Sequence, residues 1–321
     1  MRRRGWITSR GAPLWVLTGA LFLAACAPIS IAPGPTYGTD QPAAEPSPFV
    51  SDESRELAAY YARVEEGLVA RGLLRDDGGG PDTPFSTRNL VDNFINIALF
   101  DEFTSRGGAL VQGANEALLH RWKTPIRLGV TFGASVPEAK AEQDRRDIAA
   151  YVARLSRVSG HPMRMVNANP NFHVFVVNEA ERRLLGPRLR EIFPGMSPAQ
   201  QRAVTRMPRS DFCLVFASAP LGTGTYTQAV AVVRAEHPDR LRLSCYHEEI
   251  AQGMGLPNDS PLARPSVFND DEEFGKLTTH DEMLLRILYD PRIKAGMDLT
   301  QARKVAAVVA AELTGQKPLV N

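Results

Sequence analysis

The chain has 321 residues, with 37 Lys and Arg against 36 Asp and Glu and a formal net charge of +1. This cancellation excludes the basic groove of a nucleic-acid binder and a polybasic membrane patch. Hydrophobic residues at 44% and charged residues at 23% are those of an ordinary globular protein.

The first elements are not those of a fold. Met1-Arg2-Arg3-Arg4 opens the chain with positive charge. Residues 13–23 (PLWVLTGALFL) then run apolar for about eleven positions, the length of a signal-peptide core and too short to span a bilayer as a helix. Leu23-Ala24-Ala25-Cys26 follows and resembles the lipobox of bacterial lipoproteins. The resemblance implies a signal peptide over 1–25, removed so that a lipidated Cys26 anchors the chain. Ala27, where an aspartate would retain the protein at the inner membrane, implies a periplasm-facing position on the outer membrane of a Gram-negative cell. Each buried lipid CH₂ contributes on the order of 0.8 kcal/mol, so several acyl chains hold a soluble domain at a bilayer.

Residues 26–50 are rich in proline and in small or polar residues, bury too little apolar surface to fold, and read as a flexible tether. From Ser51 the character changes. Leu57, Tyr60, Tyr61, Val64, Leu68 and Leu73 recur at helical spacing, with Ser51-Asp52 as an N-terminal cap. Residues 76–84 (DDGGGPDTP) break this helix, and 89–103 predict a second one, with Leu90, Phe94, Ile97 and Ala98 on one face. Residues 109–121 read either as a short strand and turn or as a further helix. Residues 51–120 are thus expected to form a small helical preface.

From Trp122 the pattern is mixed. Residues 126–132 (IRLGVTF), 172–177 (FHVFVV), 212–217 (FCLVFA) and 228–234 (QAVAVVR) predict strands. Ile148, Tyr151, Val152 and Leu155 predict a long helix over 137–158. Residues 180–192 predict a charged helix, and 245–252 lead into another. Helices are also expected over 278–290 and 299–314, the latter with Ala302, Val305, Ala306, Val309 and Leu313 on one face. If Cys26 carries lipid, Cys213 and Cys245 remain. In an oxidising periplasm they form a natural disulfide pair; the alternative is two independent buried thiols.

The stretch Glu248-Glu249-Ile250-Ala251-Gln252-Gly253-Met254-Gly255-Leu256-Pro257-Asn258-Asp259 resembles the metzincin zinc-peptidase segment H-E-x-x-H-x-x-G-x-x-H/D. Residues four apart share a helix face, a glycine three positions on lets the chain turn out of the helix, and a third ligand then returns to the ion. By this resemblance Gly255 is the turn, and Glu249 occupies the position of the glutamate that takes a proton from zinc-bound water. Glu248, Gln252 and Asn258 stand where imidazole and related ligands belong. Ser266-Val267-Phe268-Asn269 is similar to the Met-turn, with Phe268 in place of methionine. Leu277-Thr278-Thr279-His280-Asp281 with Leu288-Tyr289 is similar to the helix that closes many metzincin domains. The chain also resembles a bacterial lipoprotein family of unknown function that carries E-E-x-x-Q-x-x-G-L-x-N-D.

The resemblance implies an α+β fold over 121–321, with a metzincin-like twisted mixed sheet, long helices and a C-terminal helical subdomain, preceded by the small helical segment. Zinc prefers imidazole, thiolate and carboxylate, so one acid with two carboxamides is a poor zinc site, and no cofactor or metal is expected. Without zinc, Glu249 as general base lacks an electrophile to steady a developing oxyanion. Three readings follow for the motif: a polar helix face, a peptide-binding cleft without hydrolysis, or an atypical hydrolase. The expected function is non-catalytic binding of a peptide or envelope protein along a sheet edge. The alternatives are an atypical metallohydrolase and a structural envelope component. His247, one residue before the motif, is a candidate substitute ligand. His120, His161, His173, His237 and His280 read as surface or core residues. Gly222-Thr223-Gly224-Thr225 is either a substrate-facing loop or a plain turn.

Overall fold

The structure, a computed structural model, describes residues 50–106 and 109–316. The expected signal peptide, the lipidated Cys26 and nearly all of the tether lie outside the described residues. Helix α1 (Asp52–Ala70) starts where Ser51 Oγ accepts from the Ser54 N–H at 3.1 Å, and it buries Tyr61 and Leu68. Helix α2 (Thr87–Ala98) has a reciprocal cap: Ser86 Oγ accepts from the Asn89 N–H, and Asn89 Oδ1 from the Ser86 N–H. This helix ends earlier than its sequence suggests. Strands β1 (Phe100–Arg106) and β2 (Ala109–Glu116) follow as an antiparallel hairpin, so the segment before residue 120 is not purely helical. Helical spacing of Phe94, Ile97 and Ala98 runs on into a stretch whose backbone pairs across the hairpin instead, a tertiary preference that local periodicity does not register. Nor does this segment stand apart. Leu90, Phe94 and Ile97 belong to the same buried cluster as Trp122, Phe172 and Leu284.

Strand β3 (Arg121–Trp122) pairs with β8 (Thr225–Tyr226) as a two-stranded parallel piece. The main sheet comprises β4 (Ile126–Phe132), β5 (Met163–Met165), β6 (Phe172–Val177), β7 (Cys213–Ser218) and β9 (Gln228–Arg234). Its spatial order is β5-β4-β6-β9-β7, parallel throughout except for β7, which runs antiparallel to β9 at one edge. The central strands read as near-continuous apolar runs because both faces are covered. Val174, Val176, Ala231 and Val233 face one cluster with Tyr151 and Ile250. Phe175, Val177, Val230 and Val232 face a second with Leu189, Phe193 and Val204.

The first face is covered by α3 (Glu138–Ser159) and α7 (Asp239–Gln252), the second by α4 (Glu179–Arg183), α5 (Gly186–Ile192) and α6 (Pro198–Thr205). The single helix expected over 180–192 is broken at Leu184 and Leu185, where Pro187 in the first turn of α5 lacks the amide that would continue α4. Helices α8 (Thr279–Tyr289) and α9 (Leu299–Thr314) form the C-terminal part, and α2 packs on both. The architecture is α+β. Among the described residues no helix is long and apolar enough to cross a membrane. Cys213 and Cys245 are disulfide-bonded with Cα atoms 5.9 Å apart, tying the edge strand β7 to α7.

Candidate functional site

Helix α7 is anchored before its motif begins. Tyr246 Oη donates to Asp144 Oδ2 at 3.0 Å, Arg242 Nη1 donates to the same oxygen at 3.0 Å, and Tyr151 Oη donates to the His247 carbonyl at 2.6 Å. These bonds to α3 fix the rotation of α7, so its last two turns present Glu248, Glu249 and Gln252 as a set. Gly255 then turns the chain. Its φ is +125°, and a Cβ there would lie 2.2 Å from the carbonyl oxygen of His120, so both the backbone conformation and the close approach require glycine. Met254 and Leu256 on either side are fully buried and hold the turn down.

The turn delivers a different residue than the resemblance implies. Asn258 does not join Gln252. Its Nδ2 donates to the Asn96 carbonyl at 2.8 Å and its backbone N–H to the Ile97 carbonyl at 3.2 Å, satisfying two of the open carbonyls at the end of α2. Asp259 stands opposite the helix instead, and Gln252 Nε2 donates to Asp259 Oδ1 at 3.0 Å. The returning chain is pinned a residue later by the Ser260 N–H, which donates to the Phe268 carbonyl at 2.9 Å. Phe268 is fully buried. Its turn is held from α8 by Asp281, which accepts from Ser266 Oγ at 2.5 Å and from the Val267 and Thr278 N–H groups at 2.9 Å each.

Around this turn lies a group of acids. Glu249 is 4% exposed, and its Oε2 has no hydrogen-bond partner among the described residues. Glu248, Asp259, Glu102 and Glu272 are half-buried around it. Burial holds the Glu249 carboxyl well above the usual carboxylate range, and the charges of Glu102 and Asp259 push it further. Burial does the same to Glu248, reinforced by Asp259 and Glu249. Asp259 is held up by burial, then by Glu102 and Asp270, against the opposing hydrogen bond from Gln252. Glu272 is pushed up to about 7 by burial and by Asp270 and Asp271, and it sits in the left-handed region at φ 59°. Among the described residues no Lys or Arg forms an ion pair with Glu248, Glu249, Asp259 or Glu272.

Beside the acids a cleft of about 150 Å³ opens between β7 at residues 215–217, the base of the hairpin at 101–103, and Gln252 and Gly253. The ladder of the hairpin is irregular between Asp101 and Phe103, at the position of Glu102. Among the described residues β7 pairs only with β9, so its outer backbone edge faces this cleft unpaired.

The zinc that a metzincin-like domain implies does not fit these donors. Gln252 and Asn258 use their amides elsewhere. Among the described residues only Cys213, Glu248 and Glu249 bring ligand atoms within 4.8 Å of one another, and the Cys213 sulfur is in the disulfide. Nor does His247 substitute. Its Nδ1 accepts from the Leu277 N–H at 3.0 Å and its ring stacks on Tyr151, while burial, aided by Arg154 and Lys276, depresses its pKa to about 3. His280 approaches Asn93 Nδ2 at 3.1 Å through Nε2, and His161 Nε2 lies 3.0 Å from the Thr124 carbonyl. Gly224 at φ +58° is packed so closely on Leu119 and Gly296 that a Cβ would meet both at 2.4 Å, which makes 222–225 a packed turn. Sequence reading missed Glu102 and Glu272. Glu272 was visible as part of an acidic run at 270–273, whereas Glu102 carries no local signal.

The fold and cleft define an α+β domain with a carboxylate-lined hollow beside an antiparallel sheet edge. Residues 87–307 match the family described as "Protein of unknown function (DUF2927)", and the chain belongs to that family. No curated protein and no solved structure matches the chain significantly.

Proposed function

We propose that this chain is a lipid-anchored envelope protein whose domain keeps the layout of a zinc peptidase without its zinc chemistry, and holds an extended peptide or envelope protein along β7. The observation that carries the reading is the 3.0 Å bond between Gln252 and Asp259 at the foot of the cleft. The positions that would grip a metal are occupied by groups bonded to one another. The substrate-holding parts remain: an unpaired antiparallel edge strand, a cleft along it, and a helix ending in a glycine turn beneath it. Main-chain hydrogen bonds to such an edge supply affinity, and side-chain hollows supply selectivity. A hydrolytic role for Glu249 is opposed by its environment, because a carboxyl held protonated is a poor base.

The anchor places the domain on the periplasmic face of the outer membrane, through Cys26. Two experiments test the reading. Amide hydrogen exchange across β7 should slow when an extended peptide from envelope proteins is added; unchanged exchange with saturating peptide refutes edge binding. A Cys26→Ser variant should leave the membrane fraction; retention there contradicts the anchor.

A further inference from the structure

We infer that the acid cluster at the end of α7 is a subsite for a cationic side chain, so that the peptide held along β7 is one that carries lysine or arginine. This rests on the peptide-binding reading above and goes further in naming the chemistry of the ligand.

The first observation is geometric. Glu102, Glu248, Asp259 and Glu272 are half-buried around the mouth of a hollow whose floor is Glu249, 4% exposed. The second is the floor itself. Glu249 Oε2 is buried and has no hydrogen-bond partner among the described residues. Buried carboxylate oxygens are ordinarily satisfied, and one left open where ligand can enter is an acceptor awaiting a donor. The third is charge. The groups acting on Glu249 are Glu102 and Asp259, both acids, and no basic side chain offsets them. Each acid raises the cost of ionising the next, and an incoming positive charge relieves all of them together.

Two kinds of cation could do so, a metal ion or an organic cation, and the spacing separates them. A small ion needs its oxygens converging at about 2–2.6 Å from one centre. Asp259 falls outside the only group whose ligand atoms lie within 4.8 Å of one another, and the third member of that group, Cys213, is closed in the disulfide. Acids spread more widely than a coordination shell can still bracket a planar guanidinium or an ammonium, whose donors point outward. Position agrees with this. Cys213 opens β7, and its sulfur lies within 4.8 Å of a carboxylate oxygen of both Glu248 and Glu249, so the acids sit at one end of the strand along which the cleft runs. Alternate side chains of an added strand point to one face, so one of them reaches the acids while the backbone pairs with β7.

The test uses the full-length protein and seven-residue peptides of alternating threonine and valine with one central position varied among lysine, arginine, norleucine and glutamate. Binding is read by calorimetry. Lysine or arginine peptides should bind about tenfold or more tighter than the norleucine peptide, and the glutamate peptide weakest. Glu249→Gln and, separately, the half-exposed Glu248→Gln should reduce this preference while leaving norleucine-peptide binding intact. Equal binding of all four peptides, with slowed exchange in β7, overturns the inference and leaves edge binding standing. No binding by any peptide overturns both. Stoichiometric calcium, magnesium or zinc whose binding is lost in Glu249→Gln assigns the cluster to a metal and also overturns it.

Discussion

Gln252 Nε2 donates to Asp259 Oδ1 across 3.0 Å, joining the last turn of the motif helix to the chain that returns after Gly255. A histidine at position 252 could turn a lone pair toward an ion. A carboxamide whose nitrogen is committed to a carboxylate cannot, and the same bond stabilises the charged form of Asp259 against its acidic surroundings. Gln252→Ala removes that support and leaves Asp259 among acids without a donor. We expect a loss of about 1–2 kcal/mol in stability, measured by urea denaturation. A neutral result would mean that the bond contributes nothing to holding the loop.

The acids give stability a pH dependence of definite sign. A carboxyl whose folded pKa is raised stays protonated in the fold after the unfolded chain has ionised. Its favourable contribution is therefore complete below the unfolded value, declines as pH rises, and is gone once pH passes the folded value, which for Glu272 is about 7. Glu249→Gln cannot ionise. Relative to the native chain it should melt a few degrees higher at pH 8, with the advantage vanishing toward pH 4. A difference that is flat across this range would contradict the buried, mutually repelling arrangement.

Gly255 is the residue on which the turn depends most steeply. Alanine there meets both a disfavoured φ of +125° and a carbonyl oxygen 2.2 Å from its Cβ. Gly255→Ala should cost about 2–4 kcal/mol and open the contact with His120. Native-like stability in that variant would show that the His120 segment moves aside without resistance.

Asp281 joins the turn around Phe268 to the start of α8 through Ser266, Val267 and Thr278, and it is fully buried. Asp281→Ala leaves two buried N–H groups without an acceptor, so a loss of about 2–4 kcal/mol is expected in denaturant unfolding. The turn should also lose protection in hydrogen exchange. Loss of stability without exchange at 266–269 would place the effect elsewhere.

The Cys213–Cys245 bridge spans a sequence separation of 32 and ties β7 to α7. Replacing both cysteines with serine should lower stability by about 3 kcal/mol. Exchange should rise first in β7, because the strand pairs on one side only. Equal stability of the two forms would contradict a structural role for the bridge.

Much of this was readable beforehand, and the failures have physical causes. Strands β4, β6 and β9 coincide with the apolar runs at 126–132, 172–177 and 228–234, because buried parallel strands require continuous apolar sequence. Helices α3, α8 and α9 follow their periodicity to within a residue or two. Residues 100–106 were misread because pairing with β2, not local preference, decides their conformation. Helix α6 was overlooked although Ser197-Pro198 with Gln200 is a visible capping signal. In the site, the motif located Glu248, Glu249, Gln252 and Gly255. It assigned Asn258 the role that Asp259 holds, since a one-residue difference after a glycine turn is invisible to spacing. Glu102 reaches the acids from a hairpin about 150 positions away in the chain, and no local pattern announces that.

The most direct test of the account is elemental analysis of the full-length protein after exhaustive dialysis and subsequent exposure to zinc. The account predicts no stoichiometric zinc, in the native chain or in Gln252→Ala. One equivalent of zinc that survives dialysis and disappears in Glu248→Gln or Gln252→Ala would contradict it.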